Sequence, residues 1–258
     1  MPYMIQLIMD NQRLPCLYNL FAQDYGMSIR KGASWMISNL TLINADQVQL
    51  IMDNQRLPCL YNLFAQDYGM SIRKGASWMI SNLTLINADQ VQLNTHLAAT
   101  RAVVGEWGIS NELQAVIESN IISPLVFLLG HAESQIKEKV AWAISNVARW
   151  GYRGQIRYLV SKGCIKPLCD LIDCEDVILV IECMKGLECI LRVGEAEKQL
   201  HGVKANNYAR MIEQCGGLSK IMRLLVNDRT GNNLDGYGIE ILQMADNIFE
   251  SYFYDEEE

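Results

Sequence analysis

Three tryptophan–asparagine pairs are the residues of this chain best suited to bind a ligand. In each pair the asparagine follows the tryptophan by four positions: Trp35 and Asn39, Trp78 and Asn82, and Trp142 and Asn146. A spacing of four places both side chains on one face of an α-helix. Two such tryptophans can hold the stem of a lysine or arginine, with a cation–π contribution of about 0.5–2 kcal/mol. An asparagine amide, which is both donor and acceptor, can bind the backbone of an extended peptide.

A single pair of this kind also has a simpler interpretation. The tryptophan could lie in a core, and the asparagine could cap a neighbouring loop. The three pairs, however, recur at the same phase of a repeat, and each ends in Ser-Asn after an apolar run. This recurrence favours a ladder of side chains on one surface.

An internal repeat positions these pairs. Residues 6–50 recur without a change as residues 49–93, at a shift of 43. A period of about 40–47 residues that contains two or three helices is typical of armadillo and HEAT arrays, whose stacked helices bind extended partners. The sequence therefore predicts an all-α fold, an armadillo-repeat right-handed superhelical solenoid of about five repeats.

Each of the three pairs lies in the third predicted helix of its unit. Apolar residues at spacings of three and four predict such helices over 72–86, 135–148 and 177–192, and no useful strand pattern appears. Glu195 and Glu197, near Lys198, are interpreted as a solvated turn. The predicted organisation comprises armadillo repeats at 1–45, 46–93 (the identical copy), 113–150 and 151–198, a terminal capping repeat at 205–254, an irregular insertion at 94–112 and an acidic tail at 255–258.

Composition narrows the function classes. The net charge of −7 and the pI near 5.1 argue against nucleic acid as a partner, and no apolar run is long enough to span a membrane. The eight cysteines form no CxxC pair and only three histidines occur, so we expect reduced core cysteines and neither a metal nor a cofactor. No phosphate loop or nucleophile elbow is present, so we do not expect an enzyme.

Three segments bear a family resemblance. Residues 141–146 (AWAISN), 163–171 (GCIKPLCDL) and 193–198 (VGEAEK) are similar to the C-terminal armadillo repeats of importin-α, or karyopherin-α. The resemblance extends over nearly the whole chain except 94–112. It implies an adaptor of the cytoplasm and nucleus that binds Lys/Arg-rich nuclear localisation signals, with the three pairs as the minor binding site. It also implies a possible contact between the C-terminal repeats and an export receptor.

The chain departs from the family pattern in ways that affect binding. We expect it to lack the importin-β-binding segment and the early repeats with the major site. The family tends to place an acidic residue three positions before each minor-site tryptophan, where this chain has Gly32, Gly75 and Lys139. Glu138, displaced by one, is a possible acidic contact. At 43 residues beyond Trp142 and Asn146 stand Lys185 and Cys189, so the ladder is expected to end there.

The sequence leaves a second functional reading open. The chain could be an armadillo interaction scaffold, or a non-functional fragment, that has lost cargo binding. Binding of Lys/Arg-rich peptides by the Trp–Asn ladder distinguishes the two readings.

Overall fold

The structure, a computed structural model, describes residues 73–82, 116–118, 120–228 and 236–254. The helices of these ranges are numbered in chain order: α1, residues 73–82; α2, Ile122–His131; α3, Ser134–Trp150; α4, Arg153–Ser161; α5, Ile165–Asp170; α6, Val177–His201; α7, Asn207–Gln214; α8, Gly217–Asp228; and α9, Gly236–Tyr252. Residues 116–118 are also helical, and a 3₁₀ turn over Leu171–Asp173 follows α5. Within these ranges no strand occurs, which agrees with the all-α prediction.

The long helices pack side by side. Helix α3 makes its most extensive helix–helix contact with α6, and α6 in turn packs against α9. The shorter helices α2, α4, α5, α7 and α8 pack around them, and apolar side chains from successive helices form a continuous core. This is the stacked arrangement that an armadillo array requires.

The ends of α6 follow from local side chains. The carboxylate of Asp176 accepts a hydrogen bond from the backbone N–H of Leu179 at 3.2 Å, which caps the first turn. Gly202 follows the last residue with a left-handed φ of 61°, a conformation that glycine adopts without a Cβ penalty. Asn206 then starts α7, where its side-chain oxygen accepts from the N–H groups of Tyr208 and Ala209.

Helix α6 corrects the predicted turn at residues 195–198. The helix was expected to end at Arg192, but it continues to His201. Lys198 forms an ion pair with Glu195 at 3.2 Å across one helical turn, and Glu197 accepts from Arg157 of α4 at 2.6 Å. These acidic residues therefore stabilise a continuing helix and connect it to its neighbour.

The cysteines of the described ranges contribute to the core. Cys164, Cys169, Cys183 and Cys189 are buried, while Cys174 and Cys215 are half-buried, and all six are free thiols. Burial raises the pKa of Cys169 to about 12 and raises the pKa of Cys183 well above its usual value. The described residues contain no cluster suited to a metal ion, and none of their helices has the length and apolarity needed to cross a bilayer.

Candidate functional site

Helix α1 presents Trp78 on its outer face. Its Ala76, Met79 and Ile80 are fully buried, whereas 42% of Trp78 remains exposed. The hydroxyl of Ser77 donates to the backbone carbonyl of Arg73 within the helix. The apolar stripe thus fixes α1 on the core and leaves the indole directed outward.

Helix α3 repeats this arrangement. Val140, Ala141 and Ile144 are fully buried, and Trp142 is half-buried. The indole Nε1 of Trp142 is itself buried, and it has no hydrogen-bond partner in the described part of the chain. Ser145, next to the predicted site residue Asn146, donates its hydroxyl hydrogen to the backbone carbonyl of Glu182 on α6. That bond connects the site-bearing helix to the following repeat.

The two asparagines lie deeper than the tryptophans. Asn82 and Asn146 are each only 6% exposed, and each has an interaction partner within the protein. The equal exposure at equivalent positions agrees with the repeat periodicity. On this face the tryptophan rings therefore provide more accessible surface than the asparagine amides.

The two tryptophans are close enough to share one cation. The ammonium nitrogen of Lys139 lies 5.3 Å from the ring centroid of Trp78 and 5.8 Å from that of Trp142. Both distances are within the range of about 6 Å at which a cation–π attraction operates. We call the space between these two rings the indole slot, and Lys139 is its occupant.

Glu138, the predicted acidic contact, is engaged with that lysine. Its carboxylate lies 2.6 Å from the ammonium nitrogen of Lys139, and both side chains are about a quarter exposed. The carboxylate is therefore near the slot, although it is one position away from where the family pattern places it.

Polar contacts between repeats hold the two helices in register. Arg73 at the start of α1 lies 3.3 Å from the carboxylate of Glu133, the residue that precedes α3. Lys74 donates to the side chain of Gln135 at 2.7 Å. These contacts lie at the amino-terminal ends of both helices and help to set the separation of the two indoles.

The tryptophan–asparagine pattern ends at α6, where Lys185 stands at the tryptophan position. Its ammonium lies 3.4 Å from Glu182 and 3.3 Å from Glu240 of α9. Cys189, at the asparagine position, is buried beside Arg192. Sequence reasoning did not identify Glu182 as the acidic residue of this unit. The repeat phase could have identified it, because it stands 43 residues beyond Lys139 and three positions before Lys185. The remaining predicted site residues, Trp35 and Asn39, lie outside the described residues.

Comparisons with known sequences identify relatives. The armadillo/beta-catenin-like repeat family matches residues 112–149. Importin subunit alpha-1a of Oryza sativa subsp. japonica is 43% identical over 253 residues, which cover 98% of this chain and 34% of the rice protein. Importin subunit alpha-4 of Arabidopsis thaliana is 41% identical over 161 residues, covering 59% of this chain and 28% of the relative. The chain thus spans about a quarter to a third of the length of these curated relatives.

Solved structures support the fold. A designed armadillo repeat protein in complex with the peptide (KR)4 superposes with a TM-score of 0.70 at 23% identity, covering 95% of this chain and 85% of the other. Computationally designed armadillo repeat proteins for modular peptide recognition give 0.71 at 22% identity, covering 94% and 84%. The relatives and structural neighbours are importin alpha subunits and armadillo repeat proteins, which supports the prediction that the chain is not an enzyme. The chain is an importin-alpha-like armadillo-repeat protein.

Proposed function

We propose that the chain binds Lys/Arg-rich nuclear localisation signal peptides and acts as a nuclear import adaptor. The observation that carries this proposal is that the Lys139 ammonium lies over the rings of both Trp78 and Trp142, at 5.3 and 5.8 Å from their centroids. A slot that accommodates one lysine in this way has the dimensions and the ring electrostatics to accommodate another. The net charge of −7 also favours a basic partner.

The comparisons support the same ligand class. The curated relatives carry the name importin subunit alpha, and one structural neighbour is a designed armadillo repeat protein in complex with (KR)4. In the proposed complex the peptide runs across α1 and α3, with a basic side chain between the indoles. Asn82 and Asn146 contact its backbone, and Trp35 with Asn39 extends the ladder. The adaptor moves between cytoplasm and nucleus, and its C-terminal repeats contact an export receptor.

A binding titration tests the proposal. A fluorescein-labelled Lys/Arg-rich peptide is titrated with the purified chain, and anisotropy is followed for wild type, Trp78→Ala and Trp142→Ala. Each substitution removes one wall of the indole slot, so we expect affinity to fall by about 5- to 30-fold, equivalent to about 1–2 kcal/mol. A peptide with alanine in place of every basic residue controls for non-specific association.

Phe127→Ala is the matched protein control. Phe127 is 61% exposed and stacks on His131 of α2, so its removal deletes an accessible aromatic ring that is no part of the indole slot. Binding should be unchanged in this variant. If folded wild-type chain does not bind the basic peptide, the adaptor function is wrong and the interaction-scaffold alternative takes its place.

A further inference from the structure

We propose that Lys139 fills the indole slot of the free protein and competes for it with the lysine or arginine side chain of a peptide. The inference rests on the proposed function and adds a residue that sets the affinity of the site. Lys139 stands three positions before Trp142 on α3 and 61 positions after Trp78 on α1. Its ammonium therefore contacts the tryptophan rings of two different repeats, which form the two walls of the slot.

The contacts of Lys139 are those that a peptide lysine would need. The rings of Trp78 and Trp142 are 5.3 and 5.8 Å from its nitrogen, and the carboxylate of Glu138 is 2.6 Å away. Two indoles and one carboxylate form a small cation-binding site. Because an intramolecular ligand needs no association step, it holds this site without the entropic cost that a free peptide must meet.

The side chain of Lys139 is placed so that it can leave. It is 23% exposed, and its partner Glu138 is 27% exposed, so neither charge is enclosed. When the ammonium moves into solvent, Glu138 becomes available to the incoming cation. Peptide binding thus replaces the Lys139 ammonium by a cation of the peptide. The net binding free energy is only the difference between the contacts of the peptide cation and the similar contacts that Lys139 gives up. Lys139 thus lowers the affinity of the site without abolishing binding.

Substitution of Lys139 tests the competition. Lys139→Gln keeps a good helix former at the position and removes the ammonium that occupies the slot. We expect this variant to bind a fluorescein-labelled Lys/Arg-rich peptide about 5- to 10-fold more tightly than wild type. Far-UV circular dichroism and thermal unfolding establish that the variant is folded.

Lys162→Gln is the matched control. The Lys162 ammonium lies 4.7 Å above the ring of Tyr158, next to α4 and outside the slot. The substitution changes the net charge by the same amount and also removes a cation–π contact. We expect its affinity to stay within about twofold of wild type. If Lys139→Gln binds no more tightly than Lys162→Gln, the competition is wrong even though the site binds peptide.

Nuclear magnetic resonance of the lysine εCH₂ groups gives a second readout that needs no peptide. Ring currents of the two indoles should shift the Lys139 signal upfield in the free protein, and Trp78→Ala should reduce that shift. Saturating peptide should return the signal to the position of an exposed lysine. An unshifted Lys139 signal in the free protein overturns the inference. If neither wild type nor Lys139→Gln binds the peptide, the proposed function fails, and the competition fails with it.

Discussion

At the residue scale, Trp78 and Asn82 show that two side chains on one helix face can differ in role. Trp78 is 42% exposed, while Asn82, four positions later, is 6% exposed and has an interaction partner. Residues separated by four positions are rotated by about 40° around the helix axis. That rotation is enough to place one side chain on the surface and the other at the packed edge.

This difference predicts opposite effects of two alanine substitutions. Trp78→Ala should weaken peptide binding by about 5- to 30-fold and change the free energy of unfolding by less than about 1 kcal/mol. Asn82→Ala removes a buried amide that has an interaction partner within the protein, and it should cost about 1–3 kcal/mol of stability, with a smaller loss of binding. Urea unfolding and peptide anisotropy on both variants measure the two quantities. Equal binding losses with no loss of stability in Asn82→Ala would show that the amide acts mainly on the peptide.

The cysteines carry a second prediction at this scale. Burial raises the pKa of Cys164 and Cys183, so little thiolate is present at pH 8 and little reagent reaches it. Cys215 is half-buried and should react earlier. Timed labelling of the native chain with iodoacetamide, followed by peptide mass spectrometry, should modify Cys215 at least about tenfold faster than Cys164 and Cys183. In urea, all three cysteines should be labelled at equal rates. Equal labelling rates in the native chain would mean that the helices around Cys164 and Cys183 open readily.

The candidate site was predictable from sequence only in part. The spacing of four and the repeat phase selected Trp78, Asn82, Trp142 and Asn146, and the structure places these residues on equivalent faces of α1 and α3. Lys139 was identified as a departure from the family's acidic position, but its position within about 6 Å of both indole rings was not predicted. That position depends on the distance between two repeats, which a helical period does not encode.

At the element scale, the contact between α3 and α6 depends on a glycine. A Cβ at Gly186 would lie 2.8 Å from the hydroxyl oxygen of Ser145, closer than side-chain contacts allow. Gly186→Ala should therefore destabilise the chain by about 1–3 kcal/mol, despite the higher helix propensity of alanine. Urea unfolding monitored by circular dichroism measures the change.

Gly130 provides the matched substitution. It lies in α2, it is exposed, and no atom lies within 4 Å of where its Cβ would be. Gly130→Ala should be neutral or stabilising by up to about 0.5–1 kcal/mol. Adding Ser145→Ala to Gly186→Ala removes the obstructing hydroxyl, so the two substitutions should couple by at least about 0.5 kcal/mol. If the two changes in the free energy of unfolding are additive, the strain that Gly186→Ala introduces does not come from the Ser145 hydroxyl.

Helix α6 also shows where the prediction of elements stopped short. Its start at Val177 was predicted, but its end was placed nine residues too early, because Glu195 and Glu197 near Lys198 were interpreted as a solvated turn. Gly194, within the helix, allows Asn206 and Tyr208 to approach closely. The amide of Asn206 donates to the carbonyl of Leu191 at 2.8 Å, a tertiary contact that supports the last turns. Because Asn206 lies 15 residues away from Leu191 along the chain, local helix propensity does not predict that contact.

At the scale of the whole molecule, the chain combines the two aromatic rings of the indole slot with a net charge of −7. These two features act over different distances. The ring contacts operate at about 5–6 Å, whereas the net charge acts over a Debye length of about 8 Å or more at physiological salt and falls off as salt rises. For the proposed basic peptide, attraction at long range should raise the association rate constant, and contact in the slot should lower the dissociation rate constant.

The two distance ranges predict that salt changes the association rate constant much more than the dissociation rate constant. Raising NaCl from 50 to 500 mM should lower the association rate constant for a Lys/Arg-rich peptide by about tenfold or more and change the dissociation rate constant by less than about threefold. Stopped-flow anisotropy with the labelled peptide measures both. Trp78→Ala should behave in the opposite way, with faster dissociation and nearly unchanged association, because it removes a short-range contact and no charge. A dissociation rate that carries most of the salt dependence would indicate instead that ion pairs such as the one available to Glu138 hold the bound peptide.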